Sequence, residues 1–262
     1  MTNNDIQNAY MGVSAVTKIC LGEDVVWPTT PPVYSAMPLT FEIISAGTLY
    51  WEATQSSNTK TIQYSKNGGD WTSITSSKTK RPSIPVSAGD KVEFRGDNAA
   101  YSLSGILDAN YFSADDVIFT VEGNIMSMID STGYTTALTL YSSNTFVSLF
   151  RSNGLLSAEN LILPATGLTT NCYKNMLGGS SAMTTGPVLP APVLVEGCYS
   201  GLFQNCTSLT YIKCLARNYN SDATISWVNG VSPTGTFVKH PNATWPSGNR
   251  GIPTGWTVED AV

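Results

Sequence analysis

Charge is what this sequence is shortest of. Only 13% of its 262 residues are Asp, Glu, Lys or Arg, about half the usual share in soluble domains, and Ser, Thr, Asn and Gly fill the surface instead. The net charge is −5, and no run of Lys or Arg occurs; Lys78, Lys80 and Arg81 form the densest basic spot. Nucleic-acid binding needs a clustered basic face, so none is expected. The sequence has one histidine, His240. A Ser-His-Asp or Cys-His pair must therefore be built around it, and its place between Lys239 and Pro241 reads as a surface turn. Nowhere do eighteen apolar residues run together, so no membrane span is expected. The opening MTNNDIQNAYMG lacks the basic region and apolar run of a signal peptide, so no export signal is expected.

Other chemistry is equally thin. Asp115–Asp116 and Glu259–Asp260 are neighbours whose side chains point to opposite sides of an extended chain, unlike a glycosidase pair. The Gly178–Ser181 loop lacks the lysine of a phosphate-binding loop. Of five cysteines, Cys172, Cys198, Cys206 and Cys214 stand at repeat positions where small buried groups belong. They read as core thiols, with a disulfide between repeats as the alternative; a zinc site lacks clustered ligands. No catalytic residue, cofactor or metal is expected.

What the chain does have is a copy of itself. Between Phe146 and Ala216 the pairs Cys172/Cys198, Tyr173/Tyr199, Met176/Leu202, Leu163/Leu189, Pro164/Pro190 and Leu168/Leu194 recur with a period of 26 residues. A fixed period of this size marks a solenoid, whose units bury their apolar faces by stacking. Within a unit, Cys-Tyr-x-x-Leu-Phe places apolar groups at i, i+1, i+4 and i+5, which suits a short helix or 3₁₀ segment. Ile162–Leu163 and Val188–Leu189, each stopped by proline, read as brief strands.

CYSGLFQNCTSLT, from Cys198 to Thr210, and CYKNMLGGSSAMTTGPVLPAPVL resemble the BspA-like (treponemal-type) leucine-rich repeats of Bacteroidales surface proteins and their phages. In the second string Gly179 or Ser180 stands where that family has another cysteine. YSKNGGDWTSI…IPVSAGDKVEFRGDN is similar to the β module that precedes such repeats, and GTFVKHPNATWPSGNRGIPTGWTV to their C-terminal segment.

The rest of the chain fits around this array. Residues 1–33 read as a β arm: Ala15–Leu21 and Val25–Trp27 form two strand-like runs before the stiff Thr29–Pro32 linker. The alternative is a first hairpin of the next domain. The arm resembles a "KIYLG…VW" hairpin of Bacteroidales phage structural proteins, which marks Ile19, Leu21, Val25 and Trp27 as candidate docking residues. In residues 34–121, Leu39–Ile43, Thr61–Ser65 and Lys91–Arg95 alternate with period two. Asn67–Asp70 and Ala88–Asp90 read as hairpin turns, giving an antiparallel β-sandwich. Residues 122–262 hold the repeats, with Asn218–Val258 as a closing cap whose tryptophans pack inward. The expected fold is mainly β with short helices: N-terminal β arm, antiparallel β-sandwich, and short leucine-rich-repeat solenoid with C-terminal cap.

The resemblance implies a virion structural protein of a phage, a head or tail fibre or decoration subunit. Its arm meets other virion proteins, and it assembles as a homo-oligomer, a trimer by analogy. A bacterial cell-surface adhesin is the alternative. Host-surface protein or glycan is the expected distal partner, and aromatics on a surface rich in hydroxyls and amides suit sugars. Tyr199, Tyr211 and Trp245 are the candidate glycan contacts.

Overall fold

The structure is a computed structural model and describes residues 36–150 and 154–261, together with the backbone of 10–11, 14–15, 19–21 and 24–27. Near the start, β1 (Tyr10–Met11) pairs antiparallel with β2 (Ser14–Ala15), and β3 (Ile19–Leu21) with β4 (Asp24–Trp27).

An antiparallel half follows: β5 (Leu39–Ile43), β6 (Gly47–Ala53), β7 (Thr61–Lys66), β8 (Thr72–Thr75), β9 (Ser83–Val86), β10 (Lys91–Arg95), β11 (Asn110–Asp115) and β12 (Phe119–Asn124). Alternation decides which faces are buried: Leu39, Phe41 and Ile43 are inside on β5, as are Val92 and Phe94 on β10. Asn67 and Gly68 take φ of 55° and 71° and turn β7 into β8, as their residue types require. The Ala88–Asp90 turn also forms, but it makes no hairpin. It carries the chain from β9, which pairs with β6, to β10, which pairs with β5 and β7. The small sheet β11-β6-β9 lies against the large one through aromatic rings. Phe41 meets Phe94 and Phe112 edge-on, each at 5.0 Å, and stacks on Phe119 at 4.9 Å.

The second half is a β-solenoid of about four turns. Its strands β13 (Leu155–Ile162), β14 (Thr185–Leu189), β15 (Tyr211–Cys214), β16 (Thr236–Lys239) and β17 (Thr257–Asp260) pair in parallel, each with the next. β12 joins the halves, antiparallel to β5 and parallel to β13, so one sheet of ten strands runs β8-β7-β10-β5-β12-β13-β14-β15-β16-β17. The segment expected to close the array instead extends it, since β16 and β17 repeat the same parallel pairing. Trp227, Trp245 and Trp256 are buried there, 0%, 7% and 7% exposed.

The helical segment expected within each repeat is absent. Among the described residues helix is limited to short 3₁₀ segments such as Ile106–Asp108 and Ile125–Met128. Opposite the strands, the backbone N–H groups alternate between two uses. Cys172, Lys174 and Met176 donate three residues back within their own coil, whereas Tyr173 donates to Cys198 O (3.0 Å) and Asn175 to Ser200 O (2.8 Å) on the next coil. Every fourth residue is left-handed: Asn171, Asn175 and Gly179 in one coil, Gly197, Gly201 and Asn205 in the next. A right-handed helix tolerates neither feature. The four-residue apolar spacing is the period of this turn ladder, which satisfies the backbone without a helix.

Inside the coils, one ring per turn builds a column. Tyr101, Phe146, Tyr173, Tyr199, Trp227 and Trp245 stack in that order, with centroids 5.4–6.4 Å apart and planes within 24°. Trp51 of the small sheet meets Tyr101 edge-on at 5.5 Å. One buried apolar cluster therefore runs from Leu39 to Trp256 across both halves.

Candidate functional site

The strands set a single lateral row across the large sheet. Each residue in it is the register partner of the next: Lys91, Glu42, Thr120, Ser157, Thr185, Tyr211, Thr236 and Thr257. In β15 the pattern is half-buried, buried, half-buried, buried, so Tyr211 and Lys213 face outward while Ile212 and Cys214 face the core. From Thr120 onward the row consists of hydroxyl residues, and after β12 it carries no charge. The side chains of Thr185, Tyr211, Thr236 and Thr257 make no protein hydrogen bond among the described residues.

Beside the row, at the C-terminal ends of β13 and β14, lies an open depression of about 360 Å³. Glu159, Asn160, Ile162, Pro164, Val188 and Pro190 border it. Its origin is local: Pro187 has no N–H to give, and β13 and β14 are in register only at Ser157 and Thr185.

At the other end of the row sits a charge cluster. Lys91 Nζ contacts Glu42 and lies 3.5 Å from Oε1 of Glu122. The Glu122 side chain is only 9% exposed. Burial, then the neighbouring Glu42 charge, push its carboxyl above the ordinary value. The Lys91 ammonium holds that of Glu42 below it.

The candidates named from sequence fare differently. Tyr211 stands on the outer face. Tyr199 and Trp245 do not; both are members of the stacked column, 1% and 7% exposed. Neither ring face is open to a sugar, because the repeat that made them conspicuous is the repeat of the core. Ile19 and Trp27 are register partners, as are Cys20 and Val25, and Leu21 and Asp24. The side chains of Ile19, Leu21, Val25 and Trp27 lie outside the described residues. Cys172, Cys198, Cys206 and Cys214 are free, buried thiols, each pushed up to about 12 by burial. His240 accepts from Asn242 N–H at 3.2 Å. No helix among the described residues is long and apolar enough to cross a membrane.

Sequence reasoning missed Thr185, Thr236 and Thr257, and the Glu42–Lys91–Glu122 cluster. The threonines had a signal, since TGPVL, YIKC, TFVK and TVED each open a strand. It lies outside the Cys-Tyr repeat by which the array was recognised. The cluster unites residues 42, 91 and 122, which only sheet register brings together. In comparisons with known proteins, no family model, curated protein or solved structure matches this chain.

Proposed function

We propose that the protein is a non-enzymatic attachment module, a head or tail fibre or decoration subunit of a phage particle, built on BspA-like leucine-rich repeats. In this reading residues 1–33 dock on other virion proteins. An antiparallel β-sandwich, residues 34–121, carries the solenoid outward, and the solenoid meets the host surface. Several copies, three by analogy with fibres, turn weak single contacts into durable attachment.

The observation that most favours a holding role is the continuity of the large sheet. Strand β12 belongs to both halves, and Tyr101 and Phe146 stack across the junction at 6.3 Å. A junction with a shared strand and a shared core resists bending, which suits a rod that presents a surface at a fixed distance.

The test is incorporation. Particles are assembled with the full chain or with a chain lacking residues 1–33, after the melting curves of the two proteins have been compared. The truncated chain should fold and stay off the particle. Equal incorporation of both chains removes the docking role of the arm.

A further inference from the structure

The lateral row on the outer sheet face differs from an ordinary solvated surface in three respects. It is continuous: from Thr120 to Thr257 each residue is the register partner of the next across six strands, the register shifts falling on either side of Thr120 and after Thr185, about 24 Å at the usual spacing of neighbouring strands. Its hydroxyls at Thr185, Tyr211, Thr236 and Thr257 make no hydrogen bond to protein among the described residues. Its one aromatic ring, Tyr211, is half-buried and contacts no other ring among the described residues, whereas most core rings pack against one another.

We propose that this face binds a neutral, linear glycan lying across the strands. The Tyr211 ring carries one sugar, the hydroxyls of Thr185, Thr236 and Thr257 bond its neighbours, and the depression at Ile162 and Val188 receives a further unit. The proposal rests on the attachment function above and names what the distal surface holds.

The chemistry selects this occupant over others. A sugar offers an apolar C–H face to a flat ring and hydroxyls to hydroxyls, the combination displayed here. The adjacent row reads Val188, Lys213, Val238, Glu259, one charge of each sign, so an anionic polymer or lipid headgroup gains little. An added peptide strand needs a free sheet edge; β17 is one, but β14, β15 and β16, which carry Thr185, Tyr211 and Thr236, are paired on both sides, so a strand added at the edge would not cover them. The length of the row fits several sugar units better than one. The depression is of ligand size.

Affinity electrophoresis of the full chain through gels containing laminarin, mannan, xylan, dextran or alginate tests this. At least one of the four neutral polymers should retard the wild type. Tyr211→Ala should weaken that retardation about tenfold, the loss of one well-stacked ring, and Thr185→Val/Thr236→Val severalfold. Tyr141→Ala, a 90% exposed ring off the row, should leave it unchanged. The valines are near-isosteric, so the double variant decides the matter if the melting curve shows that Tyr211→Ala misfolds. Retardation by alginate alone, by no polymer, or equally for wild type and the row variants overturns the proposal. Particle incorporation of the row variants is measured in parallel. Normal incorporation with lost retardation supports both readings, while normal arm-dependent incorporation without any retardation of the wild type overturns the glycan row alone.

Discussion

The carboxamide oxygen of Asn175 stands 1.7 Å from where a β-carbon on Gly201 would lie. One coil supplies the side chain and the next supplies the space. Asn171 and Gly197 repeat the relation at 2.0 Å, and all four residues are left-handed, with φ between 52° and 64°. Asparagine and glycine are the residues that tolerate this backbone, and alternating them lets successive coils close.

Gly201→Ala should therefore cost about 2–3 kcal/mol, combining a strained φ with a clash. Asn175→Gly placed on top of it should restore the part due to the clash. Denaturant melts of the two single variants and the double variant measure the coupling; strictly additive effects would mean that the two residues do not compete for this space.

The column of rings makes a second prediction. Tyr173 is buried at 1% exposure, and its hydroxyl has no hydrogen-bond partner among the described residues. Tyr173→Phe keeps the stacking on Phe146 and Tyr199 and removes an unsatisfied group, so it should stabilise by about 1 kcal/mol. Tyr173→Ala should cost about 3–5 kcal/mol. Guanidinium midpoints of the two variants should move in opposite directions.

A pH dependence follows from Glu122. Its folded-state carboxyl titrates above the ordinary value of 4.5, so folding favours the protonated form. That contribution is fully present below the unfolded value and is lost as pH rises through the folded one. The depressed carboxyls of Glu42, Asp90 and Asp115 act in the opposite sense, losing stability as pH falls through their lowered values. Glu122→Gln isolates the first effect. It should raise the melting temperature over wild type at pH 7 and lose that advantage at pH 4; an equal gain at both pH values would assign the effect to packing.

Thiol reactivity reports on the coil core. Cys172, Cys198, Cys206 and Cys214 are 0% exposed, and a thiol at about 12 carries almost no thiolate at neutral pH. Titration with a chromogenic disulfide should find these four silent in the native protein and all five cysteines reactive in guanidinium. Fast native labelling of Cys198 would mean that the coils open readily.

The repeat was legible because coil stacking prints the same residues at the same interval: Leu163 and Leu189 are both buried, and so are Cys172 and Cys198. The antiparallel strands were legible from alternation, and the β7–β8 turn from Asn67-Gly68. The coil's turn segment was not, because a four-residue apolar spacing fits a helix until the left-handed residues are placed between neighbouring coils. The last two coils were hidden by their shorter, tryptophan-bearing turns, which carry no Cys-Tyr pair. Of the three glycan candidates Tyr211 alone is on the surface: Tyr199 belongs to the turn segment whose rings fill the core, while Tyr211 faces outward by the parity of β15. Parity is fixed by register with β14 and β16, which no local pattern encodes.

The central claim is that strand β12 and the shared core make the two halves one mechanical unit. Native-state hydrogen exchange at rising denaturant, read on peptides covering Leu39–Ile43 and Leu155–Ile162, tests it most directly. Both strands should open with the same free energy and the same denaturant dependence. Exchange of Leu155–Ile162 through a separate, lower-energy opening while Leu39–Ile43 stays protected would contradict it.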